Sequence, residues 1–232
     1  MMKNLIHLEL KKFSLKPHLI GLLVANIIIL FLSVFTSMLL TSETDASIPA
    51  GLPAMQLDTM TLAAMLIRST FIVWEAVLIS SFIIEEYRNK TISLLFTYPV
   101  SRTQLILVKV MMIFGIMLVF HICSSVFQNI CVYILSGQFK FVTYSFESVS
   151  TQIITIISTI LLGLFPLFVG MLKKSTIATI ISSLIIVAIA SNSHGATAGM
   201  MSVPVVAVIF GIIGLIFSTV AIRKMVTSDL YN

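Results

Sequence analysis

The stretch VPVVAVIFGIIGLIFSTVAI, residues 203–222, decides the fold class of this chain. It runs for 20 residues without a charged side chain, which is about the length that a helix needs to cross the hydrocarbon core of a membrane. The remaining sequence has the same character: of 232 residues, 58% are hydrophobic and 10% are charged, and the mean hydropathy is +1.11. Soluble domains carry about 25% charged residues. The composition therefore excludes a soluble enzyme, a disordered tail and a disulfide scaffold, and it predicts an all-α integral membrane protein.

Six apolar stretches predict a six-helix transmembrane bundle that forms a single domain over residues 1–232. The predicted spans are 19–41, 62–84, 108–135, 150–171, 176–191 and 203–222. The fifth span is the shortest. A cytoplasmic loop at 85–107 and a cytoplasmic tail at 223–232 complete the predicted layout.

Residues 1–18 are predicted to form an interfacial helix ahead of the first span. Apolar side chains recur there at helical spacing, and lysines lie mostly on the opposite face, which is typical of a helix lying in the plane of the membrane surface. The alternative is a positively charged tail that sets the topology. The apolar positions are Met2, Leu5, Ile6, Leu10 and Phe13.

The distribution of basic residues predicts that both termini are cytoplasmic. With that orientation, 12 of the 14 lysines and arginines fall on the cytoplasmic side, as the positive-inside rule requires. Topology thus accounts for the net charge of +5, and no nucleic-acid partner is expected. The predicted cytoplasmic residues are Lys3, Lys11, Lys12, Lys16, Arg88, Lys90, Arg102, Lys109, Lys173, Lys174, Arg223 and Lys224.

The most informative loop reads EEYRNKTISLLFTYPVSRTQLILVK, residues 85–109. Charged residues are followed by a short apolar segment that ends at Pro99, and Ser101-x-x-Gln104 has the pattern of a capping box that begins a new helix. An apolar face in such a loop is costly to leave in water. The loop is therefore predicted to contain a small surface helix that contacts lipid or a partner protein.

At these residues the chain resembles the permease subunits of bacterial ATP-binding-cassette exporters of the second type. Those permeases share the layout of six spans, an N-terminal interfacial helix and cytoplasmic termini. Their first cytoplasmic loop carries glutamates, a threonine, a leucine pair, a P-x-S-R-like segment and a lysine, which here is Lys109. The resemblance implies a cytoplasmic coupling helix at about 89–98, and it implies these ATPase-coupling residues: Glu85, Glu86, Arg88, Thr91, Leu94, Leu95, Pro99, Ser101 and Arg102.

The same resemblance implies the partners and the location of the chain. A separate ABC ATPase would bind ATP and Mg, because the sequence has no G-x-x-x-x-G-K-[ST] motif and no cofactor or metal is expected on this chain. A second permease chain, identical or paralogous, and membrane lipid are the other expected partners, in a bacterial plasma membrane. The expected cargo is a hydrophobic or amphipathic substrate, most simply an antimicrobial or cytolytic peptide; drugs, lipids and ions remain alternatives.

Polar side chains inside the spans are candidates for the translocation path: Arg68, Glu75, His121, Gln128 and Asn129. Ionisable groups in lipid are costly and are often functional. Depth along the helices predicts two polar levels, with Glu75 beside His121 at mid-membrane and Arg68 beside Gln128 or Asn129 nearer the outside. The structural alternatives are that Arg68 extends to the headgroups and that the other groups are paired or neutral within the bundle.

Small side chains line one face of the last span, at Ala207, Gly211, Gly214 and Ser218. Such a face lets two helices approach closely. It serves either as a dimer seam or as packing within one bundle. In span four, Gly163, Pro166 and Gly170 predict a kink.

Two other functions were weighed against the exporter. Glu85-Glu86 is similar to the paired glutamates of intramembrane prenyl-protein proteases, whose motif is E-E-x-x-x-R, but the last position here is Lys90. A metal site needs several ligands close together, and the four histidines of this sequence are scattered along the chain. A channel or an immunity protein that acts without ATP is the other alternative.

Overall fold

The computed structural model describes residues 15–44, 58–88, 102–192 and 199–228. Most of the interfacial helix predicted at 1–18, most of the loop predicted at 85–107 and the end of the tail lie outside these residues. The helices are α1 (Leu15–Thr44), α2 (Thr59–Ile79), α3 (Glu85–Arg88), α4 (Arg102–Ser136), α5 (Val149–Gly163), α6 (Phe165–Lys173), α7 (Thr176–Ala190) and α8 (Pro204–Ser228).

The predicted all-α membrane bundle is confirmed. Within the described residues, five helical segments are long and apolar enough to cross a membrane: Lys16–Thr41, Thr59–Arg88, Thr103–Ser136, Val149–Lys173 and Pro204–Met225. The predicted fifth span is the shorter apolar helix α7, which has 15 residues and is therefore about 22 Å long.

The helices extend beyond the predicted spans at several ends. Span two continues as a π-helix over Ser80–Ile84 and then as the single turn α3, and α4 begins at Arg102. Residues 85–88 of the predicted loop are therefore helical. Residues 102–107 belong to α4, in agreement with the helix predicted to begin at Ser101, and residues 15–18 of the predicted interfacial helix are helical and continuous with span one. Hydropathy marks only the part of a helix that lies in hydrocarbon, whereas its backbone hydrogen bonds continue into the interface.

Span four is interrupted where the sequence predicts a kink. α5 ends at Gly163, and α6 begins at Phe165 with a proline, Pro166, in its first turn. Proline lacks the N–H that would continue the hydrogen-bond ladder, so it is tolerated only at the start of a helix. The span therefore consists of two helices joined at Leu164.

The small-residue face of α8 packs against α5 within the bundle. Ala207, Gly211, Gly214 and Ser218 are all buried, and a Cβ added at Gly211 would lie 3.1 Å from the Cα of Ser158. The backbones of the two helices approach at these positions because no side chain separates them. Of the two roles predicted for this face, the structure shows packing within one bundle.

Contacts between helix ends place Lys109 and Lys174 at the same end of the bundle. The Lys174 Nζ lies 5.7 Å from the centre of the Tyr87 ring, in the turn between α6 and α7, and the Lys109 ammonium contacts Glu86. At the opposite end of the bundle, the backbone N–H of Thr59 donates to the Thr143 hydroxyl at 3.1 Å. We call these the basic end and the opposite end; the prediction that the basic end is cytoplasmic follows from the positive-inside rule.

Candidate functional site

A buried ion pair at the basic end joins spans two and three. The Lys109 ammonium, on α4, contacts the Glu86 carboxylate on α3, and it also donates to the backbone carbonyl of Phe82 at 3.1 Å. Lys109 is only 4% exposed. Buried charges require such partners, because an unpaired ion away from water is strongly destabilising. We call Glu86, Lys109 and the Phe82 carbonyl the basic-end clamp.

The clamp was only partly foreseeable from sequence. Glu86 and Lys109 both belong to the loop motif, but no spacing rule pairs two residues that are 23 positions apart. The π-helix that contains Phe82 has no clear signature in the sequence. Its Ser80 carbonyl accepts from the N–H of Glu85, five residues later, and a π-helical turn of this kind often marks a functional position.

Some of the predicted coupling residues lie on α3 and α4, and the others lie outside the described residues. Glu85 and Arg88 are exposed at the end of α3, whereas Glu86 is turned toward α4. Arg102 is the first residue of α4. Thr91, Leu94, Leu95, Pro99 and Ser101 lie outside the described residues.

A second polar site is a cleft between α2, α4 and α5 near the opposite end. Its cavity volume is about 30 Å³, and its mouth is open. Arg68 lies in its wall, about 14 Å from the start of α2 at Thr59, and Glu147 lies at the approach to α5. We call it the outer cleft; its lining residues are Met60, Thr61, Ala64, Ile67, Arg68, His121, Ser125, Asn129, Glu147, Gln152, Thr155 and Ile156.

Arg68 pairs with Glu147, a residue that the sequence analysis did not select. The Arg68 Nη2 lies 3.8 Å from the Glu147 Oε2. Arg68 is 7% exposed, whereas the Glu147 side chain is 26% exposed. Glu147 lies in an irregular segment before its span and not among the charges inside the spans, so its pairing was not predicted.

His121 does not pair with Glu75, contrary to the prediction. Its ring stacks on Phe71 at a centroid distance of 4.8 Å, and it lines the outer cleft together with Arg68. The His121 Nδ1 is buried and has no hydrogen-bond partner among the described residues. His121 points toward Phe71 and toward the cleft that Arg68 also lines, not toward the level of Glu75. Residue counts along two helices fix neither their relative shift nor the direction in which a side chain points.

Gln128 and Asn129 also have partners other than Arg68. The Gln128 Nε2 donates to the backbone carbonyl of Asn26 at 2.8 Å, and the Asn26 amide donates to the Ser124 hydroxyl at 2.7 Å. Asn129 donates to the Ser125 carbonyl at 2.8 Å and lines the outer cleft. Gln128 therefore joins spans one and three, while Asn129 shares only the cleft with Arg68.

Glu75 occupies the notch at the interruption of span four. It is 1% exposed, and its Oε1 has no hydrogen-bond partner among the described residues. A Cβ added at Gly163 would lie 2.7 Å from the Glu75 Cδ and closer still to its Oε2. Only glycine at position 163 leaves room for this carboxyl group.

Gly163→Ala is therefore expected to lower stability by about 1–3 kcal/mol, because the buried carboxyl must move out of a packed site. Glu75→Ala in the same chain removes the clash, so the double variant should lose less than the sum of the two single variants. Thermal melting in detergent measures all three. Additive losses would contradict the packing of Glu75 against Gly163.

Comparison with known proteins gives two matches. Residues 5–191 match the family model described as ABC-2 family transporter protein. The chain is also similar to the protein named Uncharacterized protein YcbO of Bacillus subtilis (strain 168), at 32% identity over 245 residues, which covers 97% of this chain and 99% of that protein. No solved structure matches the chain.

Proposed function

We propose, since the chain belongs to the family of ABC-2 family transporter proteins, that it is the permease subunit of an ATP-driven exporter whose ATPase is a separate polypeptide. The chain is a multi-pass membrane protein. ATP and Mg would be bound by the ATPase, and the complex rather than this chain would hydrolyse ATP. In this proposal both termini face the cytoplasm of a bacterial cell.

The observation that carries the coupling proposal is the basic-end clamp. Residues 89–101 connect α3 to α4, and the ion pair between Glu86 and Lys109 holds the two helices together where this loop leaves and rejoins the bundle. A force applied to the loop by an ATPase would then move spans two and three together. Glu85 and Arg88, exposed beside the clamp, are suited to contact the ATPase directly.

The translocation path is proposed to lie at a seam with a second permease chain, identical or paralogous. Each chain supplies one bundle, and large apolar side chains cover the outer faces of α1 and α8, where lipid or a second chain would pack. The small face of α8 is occupied by α5, so the seam would use another surface.

An amphipathic peptide is the proposed cargo, with drug, lipid or ion export as alternatives that use the same machinery.

The geometry favours neither of the other functions. Glu86 is held by Lys109, so the two glutamates do not act as a free pair. Among the described residues, no group of three His, Cys, Asp or Glu side chains is placed to hold a metal ion. A channel that acts without ATP has no specific feature in its favour.

Purification from the native membrane in mild detergent, followed by identification of bound proteins, tests the coupling proposal. A stoichiometric ATPase is expected, and Glu85→Lys with Arg88→Glu should release it while the permease stays folded. Glu86→Lys alone would place its new ammonium group beside that of Lys109. This variant is therefore compared with the exchange Glu86→Lys/Lys109→Glu, which keeps an ion pair between the two positions. Absence of any ATPase from intact permease would contradict the proposal.

A further inference from the structure

The guanidinium of Arg68 has unused capacity for hydrogen bonds. It carries five N–H donors in a fixed plane, yet its ion pair with Glu147 is 3.8 Å long, which is beyond hydrogen-bond distance. Within the described residues, the structure gives this side chain no direct hydrogen bond. A cation that is 7% exposed normally has well-placed acceptors. Arg68 is therefore ready to accept a closer anionic partner.

The side chains that line the outer cleft are partly polar and partly apolar. Asn129, Gln152 and Thr155 are polar residues that line the cleft together with Arg68, while Ile67 and Ile156 are apolar. A planar guanidinium binds carboxylates and phosphates through two parallel hydrogen bonds. A lining that is partly polar and partly apolar suits an anionic group attached to an apolar tail better than it suits a free, fully hydrated anion.

The two charges of the cleft differ in burial, and this difference predicts the sign of the ligand. Glu147 is more exposed than Arg68, so its carboxylate can be displaced toward water at modest cost, whereas the guanidinium cannot leave its site. We propose that the outer cleft binds the anionic group of an amphiphile, a carboxylate or a phosphate, which replaces Glu147 as the partner of Arg68. The proposal rests on the proposed function only in treating this amphiphile as cargo.

Equilibrium binding of radiolabelled dodecanoylglycine tests the proposal on the purified chain in phosphatidylcholine nanodiscs, with empty discs subtracted. Dodecanoylglycinamide, which has the same alkyl chain without the charge, is the matched ligand and should not compete. Glu147→Gln is expected to tighten binding about fivefold, because the competing ion pair is lost. Arg68→Gln/Glu147→Gln should weaken binding at least about 30-fold, because the anion loses its charged partner.

Asp58→Asn is the matched control, since it removes a carboxylate near the same end of the bundle that does not line the cleft. It should bind like the unchanged chain. Unchanged or weaker binding by Glu147→Gln, wild-type affinity in the double variant, or equal competition by the amide would each overturn the proposal. Melting curves establish that every variant is folded.

Competitors identify the natural source of the anion. Competition by phosphatidylglycerol added to the discs supports a lipid headgroup, and competition by a peptide with a free C-terminal carboxylate, but not by its amide, supports a peptide. These measurements use no ATPase. A failure of the coupling proposal therefore leaves them interpretable, and a failure here leaves the coupling proposal untouched.

Discussion

Gly214→Ala is expected to prevent the normal packing of α8 on α5. A Cβ at this position would lie 2.7 Å from the Cα of Leu162 and 2.8 Å from the carbonyl carbon of Leu161. These are backbone atoms, so no rotation of a side chain relieves the clash and the two helices must separate. A loss of about 3 kcal/mol is expected, at the upper end of overpacking penalties, which corresponds to a fall of about 10 °C in melting temperature.

Gly115→Ala provides the matched control for this experiment. Gly115 lies on α4, and a Cβ added there would meet nothing within 4 Å. Because alanine favours helix over glycine, this variant should be as stable as the unchanged chain or more stable by up to about 1 kcal/mol. Thermal melting and size-exclusion chromatography in detergent measure both. Equal melting temperatures for the two variants would show that α5 and α8 do not approach as described.

Lys109→Met should be the most damaging single change at the basic end. It leaves the Glu86 carboxylate in a site where that side chain is only 13% exposed, and removal of one partner from a buried ion pair costs about 3–5 kcal/mol. The Phe82 carbonyl loses a donor as well. The loss of stability should appear in melting curves. In the exporter proposed above, the purified complex should also lose its substrate-stimulated ATP hydrolysis.

The double variant Glu86→Gln/Lys109→Met separates the charge effect from the packing effect. It removes both ions, so most of the stability should return. Substrate-stimulated ATP hydrolysis by the proposed complex should remain impaired, because α3 and α4 are no longer joined by the ion pair. Lys173→Met is the control, since it removes an exposed lysine at the same end. If Lys109→Met melts like Lys173→Met, the clamp makes no contribution to stability.

The fold was predictable from sequence wherever the lipid environment determines it. Long apolar runs set the spans, and Gly163 with Pro166 marked the interruption of span four. The resemblance of the loop to a family of permeases agrees with the family match. These features depend on composition and local backbone chemistry, which a single sequence contains.

The pairing of polar side chains was not predictable in the same way. Counting residues put His121 at the level of Glu75, but in the structure it lines the outer cleft together with Arg68. The rotation of each helix about its axis also depends on packing against neighbours. That rotation brought Arg68 to Glu147, His121 to Phe71 and Gln128 to Asn26. Apolar positions surround spans one, three and six almost uniformly, so periodicity does not identify the side of these helices that faces the bundle.

The close approach of α5 and α8 has a consequence for biogenesis. α5 is synthesised well before α8, yet the surface around Ser158 and Leu161 is completed only when Gly211 and Gly214 arrive. During translation, span four must therefore wait in the lipid or beside the insertion machinery with this groove unfilled. α8, the last of the described helices to be synthesised, therefore completes the packing of the bundle. A chain truncated before Pro204 would lack α8 and would leave this groove unfilled.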